Sequence, residues 1–207
     1  VASRDQHWEA VYRQKASDAV SWYRPHLEPS LELLAGTGLS PATRLVDIGG
    51  GASTLVDDLL ARGLRDITVV DLSPTALQVA RERLGEAGAG VRWLAGDVRD
   101  LALEPARFDA WHDRAVLHFL VDPADAAAYA ALAARAIAPG GHAVIGGFGP
   151  GGPEKCSGLA VARRSAADIA ALMVPAVDLV GQRDHVHETP WGAPQAFAWA
   201  VLWGRAV

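Results

Sequence analysis

Apolar positions recur along this chain in short blocks whose period switches between helical and extended, with turn residues between the blocks. Over residues 5–16, Trp8, Tyr12 and Lys15 fall at i, i+4 and i+7 and predict a short helix with one packed face. Trp22, Tyr23 and Pro25 follow in an irregular stretch, and residues 28–35 predict a second helix closed by Gly36. Residues 44–48 (Arg-Leu-Val-Asp-Ile) predict a buried strand, and residues 54–62 a helix ended by Gly63. A second strand is expected at 66–71. Ser73 then caps a helix that carries Pro74 in its first turn and runs to about Gly85. Further strands are expected at 91–95, 108–113 and 142–148. Between the last two, Asp122-Pro123 opens a helix with Tyr129, Leu132, Ala133, Ala136 and Ile137 on its apolar face, and Pro139-Gly140-Gly141 stops it. Residues 149–158 read as a Gly/Pro-rich loop, and residues 165–174 as a helix opened by the capping box Ser165-x-x-Asp168. Strands at 177–188 and 196–204 finish the chain.

Strand and helix alternate from residue 44 to about 174, which predicts a parallel sheet with helices on both faces. The last two strands have no helix between them. The loop Thr189-Pro190-Trp191-Gly192-Ala193-Pro194 suits a hairpin, so one antiparallel strand is expected at the end of the sheet.

Composition narrows the function classes. The 207 residues suit one α/β domain, and half of them are hydrophobic, enough for a sizeable core. Net charge is −5 and no basic tract interleaves with aromatics, so a nucleic-acid partner is not expected. A single cysteine, Cys156, rules out an intrachain disulfide and suits a reducing compartment. No run is long and apolar enough to predict a membrane span, and Val1-Ala2-Ser3-Arg4-Asp5 has no apolar signal core. A cytoplasmic protein, monomeric or homodimeric, is the expectation.

The chemistry sits at the strand ends. In open α/β sheets ligands bind beyond the carboxyl ends of the strands, and four acids fall there: Asp47, Asp71, Asp97 and Asp113. After Asp47 comes Gly49-Gly50-Gly51, where bare backbone can turn sharply and a ligand can approach the main chain. Asp71 follows Asp47 by 24 residues, a spacing that suits a carboxylate accepting from both hydroxyls of a ribose. These features predict a nucleoside-sized site.

Asp47-x-Gly49-x-Gly51, Val70-Asp71-Leu72-Ser73, Gly96-Asp97-Val98 and Pro139-Gly140-Gly141 before a strand resemble the successive motifs of class I S-adenosylmethionine (SAM)-dependent methyltransferases. The resemblance spans residues 44 to 148, with Ser53 where the family often has a third glycine. It implies a Rossmann-like, doubly wound seven-stranded sheet in the order 3-2-1-4-5-7-6, the last strand antiparallel, helices on both faces. It also implies a division into an N-terminal helical lid segment (1–40) and the methyltransferase domain (41–207), one domain overall. By the same likeness, Gly49, Gly50 and Gly51 pass under the methionine part of SAM, and Asp47 engages it. Asp71 holds the ribose, with Leu72 and Ser73 beside it, while Asp97 and Val98 meet the adenine. The product is S-adenosylhomocysteine (SAH), and no metal is expected. A nicotinamide dinucleotide is the competing cofactor, but Thr54 stands where the G-x-G-x-x-G fingerprint wants its third glycine.

The stretch Trp111-His112-Asp113-Arg114 is similar to the corresponding stretch of thiopurine-type methyltransferases, which implies that Asp113 and Arg114 line the acceptor site, Asp113 also beside the cofactor. A carboxylate there can orient or deprotonate an N, O or S nucleophile. His118 is a further candidate base, and His112 is expected to be structural. Trp8, Tyr12, Trp22 and Tyr23 are the candidate lid, shaping the acceptor pocket, with Trp22 also against the cofactor. The expected acceptor is a small molecule. A protein lysine is the alternative, and a catalytically silent SAM-binding regulatory module is a reading of another class. Cys156 is expected to be partly buried and inert, Arg163-Arg164 solvated, His185 and His187 too few for a metal site, and Trp191, Trp199 and Trp203 to pack at the last strands.

Overall fold

The computed structural model describes residues 4–14 and 19–205. Lys15, expected on the face of Trp8 and Tyr12, lies outside the described residues. In chain order the elements are α1 (Arg4–Gln14), α2 (Glu28–Gly36), β1 (Arg44–Ile48), α3 (Leu55–Ala61), β2 (Asp66–Asp71), α4 (Pro74–Leu84) and β3 (Arg92–Ala95). They continue with β4 (Phe108–Arg114), α5 (Pro123–Ala136), β5 (Ile137–Phe148), β6 (Lys155–Cys156), β7 (Leu159–Ala160), α6 (Ala166–Ala171), β8 (Val177–Glu188) and β9 (Pro194–Gly204).

Seven strands form one sheet in the order β3-β2-β1-β4-β5-β9-β8. The first five run parallel, and β9 is antiparallel to both β5 and β8. Counting only these seven, the order is the expected 3-2-1-4-5-7-6, with the last strand reversed.

The alternation of buried positions decides which helices sit on which face. Val46, Ile48, Trp111, Ala143 and Ile145 pack with Tyr129, Leu132 and Ala133 of α5 and Ile169 and Ala170 of α6. Leu45, Ile67, Val69, Ala110 and Val144 pack with Leu31 and Leu34 of α2, Leu55 and Leu59 of α3, and Leu77 of α4. Both faces are therefore covered, which is why the strands read as near-continuous apolar runs rather than alternating ones. No helix of the described residues is long and apolar enough to cross a membrane.

Two local expectations need correction. Ile137 does not extend the face of α5; it starts β5, in extended conformation, and pairs with Phe108. The helix ends before Pro139 because the residue preceding a proline is pushed out of the helical region. Pro139-Gly140-Gly141 instead forms an excursion inside the strand, after which pairing resumes at Ala110 and His142. The second correction is in the loop after β5, which contains a small hairpin of β6 and β7. Its turn is Ser157-Gly158, both at positive φ (50° and 80°), the backbone of a type I′ hairpin turn.

Candidate functional site

A cavity partly open to solvent lies beyond the carboxyl ends of β1, β2 and β4. The turn after β1 forms its floor. The Gly49 and Gly50 amides both donate to the Val70 carbonyl (2.7 and 3.2 Å), which ties the turn to β2. Gly49 and Gly51 hold φ of +70° and +41°, the left-handed region that glycine tolerates best. A Cβ on Gly49 would lie 2.1 Å from Val116, one on Gly50 2.5 Å from Asp47 Oδ2, and one on Gly51 2.6 Å from Asp71 Oδ2. Bare backbone is thus required by the packing of Val116, Asp47 and Asp71 around the turn.

Each acid at a strand end has a distinct environment. Asp47 is buried, and its Oδ1 accepts from His112 Nδ1 at 2.7 Å. His112 Nε2 in turn accepts from Ser30 Oγ at 2.9 Å, so a buried polar chain joins β1, β4 and α2. His112 also borders the cavity. Asp71 takes the Ser73 amide on Oδ1 (2.8 Å), while Oδ2 lies against Gly51. Burial, helped by the negative charges of Asp47 and Glu9, pushes the Asp71 carboxyl up to about 7. Such a desolvated carboxylate in a cavity wall is suited to a ligand that brings hydroxyl donors. Asp97 is held below the usual carboxylate range by Arg99, whose guanidinium grips both of its oxygens (2.9 and 2.6 Å). Oδ1 also accepts the Arg99 amide, and Oδ2 keeps a lone pair for a further donor. Arg99 also bonds Asp125, which bonds Arg4, so α1 is strapped to α5 and to the β3 end.

Of the residues expected against the cofactor, Asp47, Gly49, Gly50, Asp71, Leu72, Asp97, Val98 and Trp22 border the cavity. Gly51 and Ser73 stand behind its wall. Ser73 is fully buried; its Oγ accepts from the Ala76 amide at the start of α4 and donates to Glu9 Oε2 (2.6 Å). Glu9 also accepts from the Thr75 hydroxyl and amide. The Ser73 and Thr75 hydroxyls hold its carboxyl down at about 2. A carboxylate from α1 therefore sits on the positive end of α4.

Asp113 does not border the cavity. It is fully buried outside the cavity wall, where Oδ1 accepts from the Val116 amide (2.8 Å) and Oδ2 from the Leu117 amide (3.0 Å) and the Tyr129 hydroxyl (2.6 Å). Burial pushes its carboxyl up to about 6 against those bonds. Its task is to close the turn that Ala115 makes at φ +71°. Arg114, the next residue, points the other way and lines the cavity. It donates to the Trp22 carbonyl (3.0 Å) and to His187 Nδ1 (3.5 Å), and lies 5.4 Å from the Phe197 ring centroid.

His118 also borders the cavity. Its Nδ1 accepts from the Phe148 amide at 3.3 Å, which places the proton on Nε2, and Nε2 is buried with no partner among the described residues. Burial, together with Arg114 and Arg164, lowers the imidazole to about 3. His118 is therefore a neutral N–H donor in this arrangement.

Trp8, Tyr12, Trp22 and Tyr23 all border the cavity, where Trp8 meets Trp22 and Phe119 edge-on at 5.6 and 5.0 Å between centroids. Cys156 is a half-buried wall residue whose thiol burial pushes up to about 11. Arg164 is not solvated as expected; it donates to the Leu117 and Leu120 carbonyls (both 2.9 Å) and braces the same turn. Trp199 is core, whereas Trp191 is exposed. Among the described residues no group of three or more His, Cys, Asp or Glu is placed to hold a metal ion. Sequence reasoning missed Glu9, Arg24, His187 and Phe197 at the site. Only His187 gave a signal, as a polar residue alternating along β8.

Residues 45–141 match the family described as "Methyltransferase domain". The chain is 35% identical over 103 residues to a ubiquinone biosynthesis O-methyltransferase of Alkalilimnicola ehrlichii, covering 49% of this chain and 40% of that protein. It is 28% identical over 111 residues to an eEF1A lysine and N-terminal methyltransferase of Mus musculus, covering 54% of this chain and 16% of that one. The chain thus spans less than half the length of either curated relative. A Burkholderia thailandensis 1,6-didemethyltoxoflavin-N1-methyltransferase, solved with 1,6-didemethyltoxoflavin and S-adenosylhomocysteine, shares the fold at a TM-score of 0.73 and 21% identity, over 98% of this chain and 87% of that one. By its matched methyltransferase domain, its ordered glycine and acid motifs and its strand order, the chain is similar to the class I S-adenosylmethionine-dependent methyltransferases.

Proposed function

We propose that the chain transfers a methyl group from SAM to an N, O or S atom of a small molecule enclosed in the cavity. The observation that carries this reading is the aromatic roof: Trp8, Tyr12 and Trp22 close over the same cavity whose floor holds Asp47, Gly49, Gly50 and Asp71. The glycine turn and the Asp71 carboxylate fit the cofactor, since the packing leaves no room for side chains there and Asp71 is desolvated and aimed at the cavity. Asp71 would accept from the ribose hydroxyls, Asp97 from an exocyclic amine, and Asp47 would engage the methionine end. Bound there, SAM supplies an electrophilic methyl on a sulfonium, open to in-line displacement.

The chain's own contribution is alignment and exclusion of water. Trp8, Trp22 and Phe119 shield the cavity from solvent, and His118 Nε2 offers a hydrogen bond. With Asp113 committed to the turn and His118 neutral, the acceptor has to arrive with its nucleophilic lone pair available. The names of the ubiquinone and toxoflavin relatives support a small acceptor, while the eEF1A methyltransferase relative favours a protein lysine as the second reading.

Incubation with SAM and separate panels of small phenols, thiols and N-heterocycles, and of lysine peptides, with SAH release measured, tests this. Turnover confined to small acceptors is expected. Turnover only on peptides would transfer the reading to protein lysine, and SAH binding without turnover on any acceptor would favour a silent binding module. The division of labour between residues 1–40 as lid and 41–207 as domain is part of the same proposal.

A further inference from the structure

Two guanidiniums in the cavity wall have no ion-paired carboxylate among the described residues. Arg24 and Arg114 both border the cavity. The third arginine there, Arg4, pairs with Asp125, but among the described residues no acid forms an ion pair with Arg24 or Arg114. Arg114 is half-buried, yet its fixed partners are neutral: the Trp22 carbonyl and His187 Nδ1. His187 cannot neutralise it, because its Nε2–H donates to the Ser21 carbonyl (2.7 Å) and the ring accepts at Nδ1. Two of the five guanidinium N–H groups are thereby used, which orients the side chain and leaves others for a ligand. The negative charge that reaches it, Asp47, has its own Oδ1 on His112.

Burial and the neighbouring Arg24 lower the Arg114 guanidinium only to about 10, so it keeps its charge near neutrality. A guanidinium half-withdrawn from water, with no acid ion-paired to it among the described residues, has an anion as its electrostatic complement. Phe197, 5.4 Å from the guanidinium, adds an apolar, aromatic flank beside the charge.

We infer that Arg114, with Arg24, forms an anion-recognition subsite, and that the acceptor is a flat, apolar molecule bearing a carboxylate or comparable oxyanion. The inference rests on the small-molecule reading and goes beyond it by naming the charge. It also speaks against an ammonium-bearing lysine, which two guanidiniums would repel. The arginines act as positioning residues, holding the acceptor by its anionic group while another atom receives the methyl.

The test titrates SAH-saturated protein calorimetrically with 2-naphthoate and with its neutral, near-isosteric amide, 2-naphthamide. Tighter binding of the carboxylate is expected, on the order of tenfold or more, the size of a charge-assisted contact. Arg114→Gln should abolish this preference and Arg24→Gln should reduce it, with SAH affinity unchanged in both. Because the Arg24 side chain has no hydrogen bond or ion pair among the described residues, its variant keeps the test decisive should Arg114→Gln not fold. Equal affinity for the two probes, or a preference surviving in every folded variant, overturns the anion subsite and leaves the small-molecule reading intact. Binding of neither probe overturns both.

Discussion

Asp71 offers the sharpest test of the cofactor site. Its carboxyl titrates near 7 because burial and two neighbouring acids oppose its charge, yet a ribose diol donates best to the ionised form. Ligand binding must therefore ionise Asp71 wherever it is protonated in the free protein. With a free-protein value of about 7, the apparent dissociation constant scales as 1 + 10^(7 − pH). SAH should then bind about tenfold more weakly at pH 6 than at pH 8, a difference of about 1.4 kcal/mol. Close to one proton should be released per SAH bound at pH 6, measurable by calorimetry in buffers of different ionisation enthalpy. Asp71→Asn keeps an oxygen for the Ser73 amide but removes the charge. It should cost roughly 1.5–3 kcal/mol at pH 8, about a tenfold to hundredfold loss, and flatten the pH profile. The sign for folding is opposite. A carboxyl raised above its unfolded value favours the native state at low pH, and that contribution fades as pH rises from about 4 towards 7. Constant SAH affinity between pH 6 and 8 in the wild type, or an unchanged slope in Asp71→Asn, would refute the assignment.

Two further outcomes are expected. Tyr129→Phe removes the hydroxyl that accepts from Trp111 Nε1 (2.9 Å) and donates to Asp113 (2.6 Å). The buried groups left short should cost about 2–3 kcal/mol, lowering Tm by roughly 4–12 °C with SAH affinity little changed; a Tm within a degree of wild type would show that the network carries no stability. Glu9→Gln weakens the hold of α1 on the start of α4. Release of SAH, followed by stopped-flow fluorescence of Trp8 and Trp22, should accelerate by a few-fold to about thirtyfold, from roughly 0.5–2 kcal/mol of lost charge–dipole and hydrogen-bond energy. An unaltered release rate would mean that this contact does not hold the roof.

What the sequence disclosed and what it hid divide along physical lines. The strand blocks were legible because both faces of β1, β2 and β4 are buried, so each reads as an apolar run ended by an acid. The cap at Ser73 and the box at Ser165 were legible because those interactions span three residues. The boundary at Ile137 was not, since an isoleucine after an alanine-rich helix fits either period. The direction of the Asp113 side chain was hidden, because a strand end does not say which way its side chain turns; here it turns to the Val116 and Leu117 amides around the left-handed Ala115. The Ser157-Gly158 turn was readable in principle. The grouping of Glu9 with Ser73, and of Arg24 with Arg114 and His187, joins distant parts of the chain, and no local pattern reports such contacts.

One serine joins the floor of the cavity to its covering. Ser73 gives its amide to Asp71 and its hydroxyl to Glu9, so a displacement of the first helix is felt by the group proposed to grip the sugar. If the first helix moves, thermodynamic reciprocity would make occupancy below and closure above two ends of one equilibrium. Whatever tightened the grip on the nucleoside would then also keep the door shut. Under this coupling, turnover would be paced by how readily that door swings for the departing product, rather than by the bond exchange itself.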